Sequence, residues 1–378
     1  MYLKQLAVSN FKNIEQIDIN CSPVLNCFEG NNGEGKTNLL DGIYYLSMCK
    51  SKFLSSDYPN IRDSEEYFLL KARYADASDD ETEIRVSCGI KRNGKKSFKC
   101  NDKEYKKLSE HIGIIPLVFV TPSDSALITD GSEERRKFIN SVISQTDKTY
   151  LDALMRYNNL LANRNKLLKS KGQPIDAGLM DTLNEQMARY GTAVFAKRRA
   201  LLETLNPAFN EIYAAISGEK ETVSLSYRSD LSDGKDLKQL LDETADRDRI
   251  LQYTSTGIHR DDLIMTMSGR PLKYSGSQGQ QKTCIIAMKM AQFRIIKQSS
   301  GIAPLLLLDD IFDKLDTGRV ERLIAFVSEK NFGQIFLTDS NKNRLDVLLR
   351  ATATHYKLFN VSGGNVTLQQ SSDSRETQ

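Results

Sequence analysis

The chain has 378 residues, with 52 lysines and arginines against 49 aspartates and glutamates, a formal net charge of +3. That length implies more than one compact unit, and an apolar share of 40% supplies a buried core and excludes a globally disordered chain. A charge this close to balance gives no chain-wide attraction to nucleic acid, so a nucleic-acid site would have to be a local patch.

In chain order, Leu3, Leu6 and Val8 alternate, as do Ile14, Ile17 and Ile19, and Asn10–Asn13 between them predicts the turn of a hairpin. The apolar run Val24–Phe28 leads into glycine-rich sequence and a helical pattern over Asn38–Met48. Residues 67–107 alternate as strands do, with Asn93-Gly94 as a hairpin turn. Ile114–Val120, stopped by Thr121-Pro122, predicts a buried strand. From Ser132 to about Ile216 the spacing becomes helical: Leu151, Leu154, Tyr157, Leu160, Leu161, Leu167 and Leu168 recur three or four apart. Lys171–Pro174 predicts a helix–helix turn. A second long helix carries Met187, Val194 and Leu201, and Asn206-Pro207 is expected to break or kink it. The pair would form an antiparallel arm.

Residues 221–299 return to mixed structure. Pro304–Leu308 and Gln334–Thr338 flank a helix and predict a parallel β-α-β unit. Short strands near His355–Phe359 and Gly364–Leu368 precede a polar tail, 371–378, expected to be disordered. The expected division is a mixed α/β head from 1–130 and 221–370, with a helical arm, 131–220, inserted between its parts.

Six cysteines, at 21, 27, 49, 88, 100 and 284, form no C-x-x-C pair, and His111, His259 and His355 are scattered. That spacing does not suit structural zinc and reads as reduced thiols. The N-terminal segment lacks the apolar core of a signal peptide, and no run reaches the roughly 20 apolar residues of a membrane helix. The expectation is a cytoplasmic protein with no membrane contact.

Gly30-Asn31-Asn32-Gly33-Glu34-Gly35-Lys36-Thr37 fits G-x-x-x-x-G-K-[ST]. Glycines let the backbone curl so that N–H groups face phosphate oxygens, and the following helix adds its positive end. Lys36 would reach the β- and γ-phosphates of ATP, and the Thr37 hydroxyl would ligate Mg²⁺. Leu305–Leu308 followed by Asp309-Asp310 is the matching acidic strand end. Asp309 is the candidate Mg²⁺ ligand, and Asp310 the candidate for orienting or deprotonating the attacking water. Together these motifs define a P-loop NTPase.

Ser277-Gln278-Gly279-Gln280 precedes a helical stretch, and Ser277 with Gln280 fits a capping box. Such a helix tip is a second anion site. Placed just before the acidic strand, it resembles the signature motif of ATP-binding-cassette proteins, which contacts the γ-phosphate held by a second subunit. Asp313-Lys314-Leu315-Asp316 resembles the D-loop of that class. Thr338 stands where many members carry a histidine, and Asp310 where many carry glutamate; both departures imply slow hydrolysis and a switch more than a motor.

Further blocks narrow the resemblance. The pattern from Leu6 to Phe11-Lys12-Asn13-Ile14, the loop through Asn38, Thr121-Pro122-Ser123-Asp124, Gly131–Ile139, Tyr157 to Arg164-Asn165, Gly257–Leu263 and Ser277–Thr283 occur in one order. They resemble the RecF family, within the superfamily that also holds SMC and Rad50 proteins. Ser123 and Asn140 depart from the family's usual acidic residues. The arm is far too short for an SMC or Rad50 coiled coil.

The resemblance implies an α/β, ABC-type P-loop ATPase head with a mixed β-sheet plus the inserted helical arm. It implies double-stranded and gapped DNA as ligands, an ATP-dependent homodimer, and action with RecO and RecR in recombinase loading and the SOS response. Weak, DNA-stimulated ATP hydrolysis would accompany these roles. A nucleotide-gated scaffold without significant hydrolysis is the alternative.

Lys91, Arg92, Lys95, Lys96 and Lys99 crowd one β segment and would neutralise DNA phosphates without reading bases; a solvated hairpin face is the competing explanation. Arg135-Arg136-Lys137 could face nucleotide or DNA. Lys197-Arg198-Arg199 is expected to be surface charge on the arm. His259 and Arg260 are expected to make a structural or nucleotide-proximal contact, with a catalytic histidine as the alternative.

Overall fold

The alternating N-terminal residues do form a hairpin, Tyr2–Phe11 with Ile14–Asn20, in the computed structural model of the chain, which describes residues 1–75, 83–170, 176–219, 221–328, 332–340 and 355–372. Contacts divide the chain into two units. The first comprises 1–124, 215–218 and 289–378; the second comprises 125–214 and 219–288. Residues 221–288, expected with the head, lie in the second unit.

Two six-stranded sheets build the first unit. One is antiparallel, in the order Ile14–Asn20, Tyr2–Phe11, Tyr67–Ala75, Glu83–Lys91, Ser97–Cys100, Lys103–Glu104. Its period-two pattern sends Leu6, Val8, Phe68, Leu70, Val86 and Cys88 into the core and leaves Lys71, Arg73, Lys91 and Lys99 exposed. The other sheet runs Asn365–Ser371, Tyr356–Ser362, Leu25–Glu29, Ile335–Asp339, Leu305–Asp309, Leu117–Val120. Its last five strands are parallel and the first is antiparallel. Every residue of Leu25–Glu29, Leu305–Asp309 and Ile335–Asp339 is buried, as continuous apolar runs covered on both faces require. The helix Lys36–Met48 contributes Leu39, Leu40, Ile43 and Leu46 to the core that both sheets share.

In the second unit, Ser132–Ser144, Lys148–Leu168 and most of Ala177–Ser217 are helical, beside the antiparallel sheet Arg270–Pro271, Asp262–Met267, Val223–Arg228. The predicted turn at 171–174 lies outside the described residues. Met187, Val194 and Leu201 are buried as their spacing required. Of the break or kink expected at Asn206-Pro207, the break does not occur: one helix of 41 residues runs through Pro207. Leu205, Phe209 and Ile212 on either side are buried, and that packing offsets the hydrogen bond the proline cannot donate. The C-terminal strand continues to Ser371, into the segment expected to be a tail; 373–378 lie outside the described residues.

Candidate nucleotide-binding site

Parallel strands deliver their C-terminal ends to one edge, and an α/β sheet binds ligands there. Strand Leu25–Glu29 ends on the glycine loop, and Gly35 caps the helix Lys36–Met48 with a left-handed φ of 112°. The glycines are required by space as well as by angle. A Cβ on Gly30 would lie 2.3 Å from the Val361 carbonyl oxygen, and one on Gly35 would lie 2.7 Å from the Asn13 amide. The loop is braced from both sides. Asn13 Nδ2 donates to the Glu34 carbonyl at 3.1 Å and its Oδ1 accepts from Asn38 at 2.8 Å. The Gly364 N–H donates to the same carbonyl at 2.9 Å, and the Glu34 carboxylate accepts the Gly363 N–H.

Lys36 lies along the inside of the loop, its ammonium donating to the Gly30 and Asn31 carbonyls at 2.6 and 2.9 Å. Asn31, Asn32 and Gly33 are exposed, and the first-turn N–H groups of the helix have no carbonyl partner within it. The rim therefore offers backbone donors and the Lys36 ammonium to a polyphosphate.

Asp309 closes the site from the neighbouring strand end. Its two carboxylate oxygens accept from the Thr37 hydroxyl at 3.0 and 2.8 Å, joining residues 272 apart in sequence. The Thr338 hydroxyl donates to Asp309 at 2.7 Å and accepts the Asp310 N–H at 3.2 Å. Burial raises the Asp309 carboxyl above its ordinary range, and the Thr338 and Thr37 hydroxyls pull the other way. Asp310 turns the chain with a left-handed φ of 45°. The Thr37 hydroxyl and the Asp309 carboxylate are adjacent hard oxygen donors. They fit Mg²⁺, which takes one or two protein ligands and completes its shell with phosphate and water. Among the described residues no group of three or more His, Cys, Asp or Glu side chains forms a closed cage. Thr338, noted in the sequence as standing where a histidine is common, thus joins Thr37 in holding Asp309 in place.

Ser277 and Gln280 form the predicted capping box. The Ser277 N–H donates to Gln280 Oε1 at 2.7 Å, and the Gln280 N–H donates to Ser277 Oγ at 3.3 Å. They open the helix Gln278–Ser300, with Ser277 and Gln278 exposed and Gly279 half-buried. Asp313 and Lys314 are exposed, and Asp316 caps the helix Thr317–Ser328 through the Arg319 N–H at 2.9 Å.

Several basic residues have other roles than the sequence implied. Lys91, Arg92, Lys95 and Lys99 are exposed, although Arg92 also donates to the Glu65 carbonyl at 2.7 Å. Lys96 is not available to DNA. Its ammonium bonds the Cys49 carbonyl at 2.6 Å and Asp57 at 3.2 Å, and sits 4.4 Å from the centre of the Tyr45 ring. It faces the core because Ser97–Cys100 must turn Phe98 inward beside it. Arg198, expected on the surface, is buried against Asp261 at 3.0 Å, the Ile258 carbonyl and Asn140. Arg135 pairs with Asp262 at 2.6 Å, and Arg136 donates to the Asp261 carbonyl.

His259 is a structural contact. The Tyr157 hydroxyl donates to Nδ1 at 2.9 Å, and Nε2 donates to the Thr254 carbonyl at 3.0 Å. Burial pushes the imidazole down to about 4, so it is neutral near pH 7 with both nitrogens engaged. Asn13 was missed as a functional residue because its role depends on the distant Gly35; its only sequence signal was its place in the Phe11–Ile14 block.

Residues 2–364 match the family model described as RecF/RecN/SMC N terminal domain. The chain is 49% identical to a Bacteroides fragilis protein named DNA replication and repair protein RecF, over 97% of this chain and 98% of that one. It is 50% identical to a Parabacteroides distasonis protein of the same name, over 97% and 99%. A solved structure of the recombination mediator protein RecF-ATP in the RecFOR pathway superposes with a TM-score of 0.86, at 28% identity over 98% of each chain. The Smc head bound to the C-winged helix domain of ScpA superposes at 0.58 with 16% identity, which extends the likeness of fold alone.

Proposed function

Because the chain belongs to the RecF family, we propose that it is an ATP-dependent DNA-binding protein of recombinational repair that acts at single-strand gaps. ATP sits on the loop Gly30–Thr37, with Lys36 on its phosphates and Thr37 and Asp309 holding Mg²⁺, which when bound neutralises the phosphate charge. Asp310 orients the attacking water. Two copies close on ATP, and Ser277–Gln280 of one completes the phosphate site of the other. Lys91, Arg92, Lys95 and Lys99 contact duplex phosphates. Closure holds DNA, slow DNA-stimulated hydrolysis releases it, and RecO and RecR act with the closed form to load recombinase and support the SOS response.

The observation that carries this reading is the contact of Thr37 with Asp309. It brings the phosphate loop and the acidic strand end, distant in sequence, into one oxygen-donor pair. Sedimentation velocity with and without Mg-ATP, repeated with gapped duplex, tests it. The expected result is a monomer that becomes a dimer with ATP and retains the duplex. A species that stays monomeric at saturating Mg-ATP would end the closure mechanism. Absence of phosphate release, with or without duplex DNA, would favour the non-hydrolysing scaffold.

A further inference from the structure

Asp124 takes no part in the chemistry assigned above, yet it is buried among charges at the nucleotide edge of the sheet. It follows strand Leu117–Val120, in which Val120 pairs with Leu308, the residue before Asp309. Only 4% of it is exposed. One oxygen accepts the Thr121 N–H at 2.8 Å and the Thr121 hydroxyl at 3.2 Å. The other is shared by two ammonium groups, Lys52 at 3.1 Å and Lys289 at 3.0 Å. Lys289 is itself buried and donates to the Phe119 carbonyl at 2.9 Å.

Each lysine leads to an element of the proposed ATP cycle. The Lys52 N–H donates to Asp41 Oδ1 at 2.7 Å. Asp41 lies one helical turn beyond Thr37 in the helix Lys36–Met48, is fully buried, and also takes Lys12 and the Ser51 hydroxyl at 2.6 Å each. Lys289 belongs to the helix Gln278–Ser300, whose first turn is closed by Ser277 and Gln280. Charge-assisted bonds between buried groups are short, directional and costly to break singly. A shift of the loop helix therefore acts on Asp41 and Lys52 before it reaches Asp124.

We propose that Asp124 is a positioning residue that transmits ATP occupancy of the phosphate loop to the helix carrying Ser277–Gln280, through Lys52 on one side and Lys289 on the other. This rests on the reading that the loop binds ATP, and it does not require dimerisation. Spatial intermediacy alone does not establish coupling, so the test measures both ends.

Hydrogen exchange is followed by mass spectrometry on the full chain, with and without Mg-ATP, in the native protein and in Asp124→Asn, Lys289→Met and Lys52→Met. In the native protein ATP slows exchange in residues 30–40 and in residues 278–289. In all three variants the response at 30–40 remains, with ATP affinity within about threefold of native, and the response at 278–289 disappears. Thermal melts confirm folding; Lys52→Met leaves the buried Asp124–Lys289 pair intact and serves if either other variant unfolds. Persistence of the 278–289 response in the folded variants overturns the proposal. So does a native protein that responds at 30–40 alone, or loss of both responses confined to Asp124→Asn, which would make Asp124 a direct nucleotide ligand. A native protein without any response at 30–40 would refute the ATP site itself, and the coupling with it.

Discussion

Asp309 in the first unit and Asp248 in the second are both buried carboxylates, at 2% and 0% exposure, and differ in what holds them. Asp248 faces the guanidinium of Arg164 at 2.7 Å and takes the Ser255 N–H at 2.9 Å. Arg164 is in turn bonded to Asn184 at 2.8 Å and to Thr254 at 2.9 Å. Asp309 is held by hydroxyls, those of Thr37 and Thr338. A guanidinium compensates a carboxylate in place and fixes the packing around it. Neutral hydroxyls fix position and leave the charge to favour a cation arriving with a ligand. Burial alone does not separate framework from site; the chemistry of the partner does.

The comparison breaks most visibly at Arg164. Arg164→Met should leave Asp248 buried without its counter-charge and cost about 3–5 kcal/mol of unfolding free energy, measured by denaturant titration. A cost below about 1 kcal/mol would mean that the network carries no more than a surface pair. Asp309→Asn should have the opposite signature. It keeps an acceptor for Thr37 and Thr338 but removes a charge whose ionised form burial disfavours, so the thermal midpoint should hold or rise. Mg-ATP hydrolysis should fall by about 100-fold or more, roughly 2.7 kcal/mol of barrier. A variant that hydrolyses normally would remove Asp309 from the metal site.

Legibility in the sequence follows the same line. The parallel strands were readable because both their faces are covered and they appear as unbroken apolar runs, and the loop because close backbone approach permits only glycine at Gly30 and Gly35. The capping box of Ser277 and Gln280 was readable because its bonds are local. Partner choice across long separations was not. Nothing near Lys96 in the sequence announces Asp57 or the Cys49 carbonyl, and nothing near Arg198 announces Asp261. Charge runs therefore read as surface, although one member of each is turned inward. Pro207 failed as a helix breaker because propensity is weak against the packing of Leu205 and Phe209.

His259 extends the comparison to pH. Its folded-state value is depressed to about 4 by burial, against about 6.5 in an unfolded chain. Between those values the unfolded state binds a proton that the folded state refuses. The contribution is complete above pH 6.5 and is lost as pH falls towards 4. From pH 7 to pH 5 this group should remove about 2 kcal/mol of stability. His259→Gln, which does not titrate, should show a shallower decline over that window in urea titrations at successive pH values. Equal slopes in the two proteins would mean that the ring is protonated inside the folded chain.

The smallest expected effect is at Asn13, and it asks whether the loop is shaped before ATP arrives. Asn13 bonds the Glu34 carbonyl and Asn38, and Gly35 has no room for a Cβ beside it. Asn13→Ala removes both bonds and opens space at Gly35, so the loop gains conformations that binding must then remove. ATP affinity should drop about tenfold, near 1.4 kcal/mol, by equilibrium titration. The thermal midpoint without nucleotide should move little, because Asn13 lies in a half-buried turn at the loop and not in the apolar core. Glu34→Ala should act in the same direction, since its carboxylate ties the loop to Gly363 from the other side. Loss of affinity at one position but not the other would show that a single brace fixes the loop, whereas loss at both makes the preformed cradle a joint product of the Asn13 turn and the Gly363-Gly364 turn.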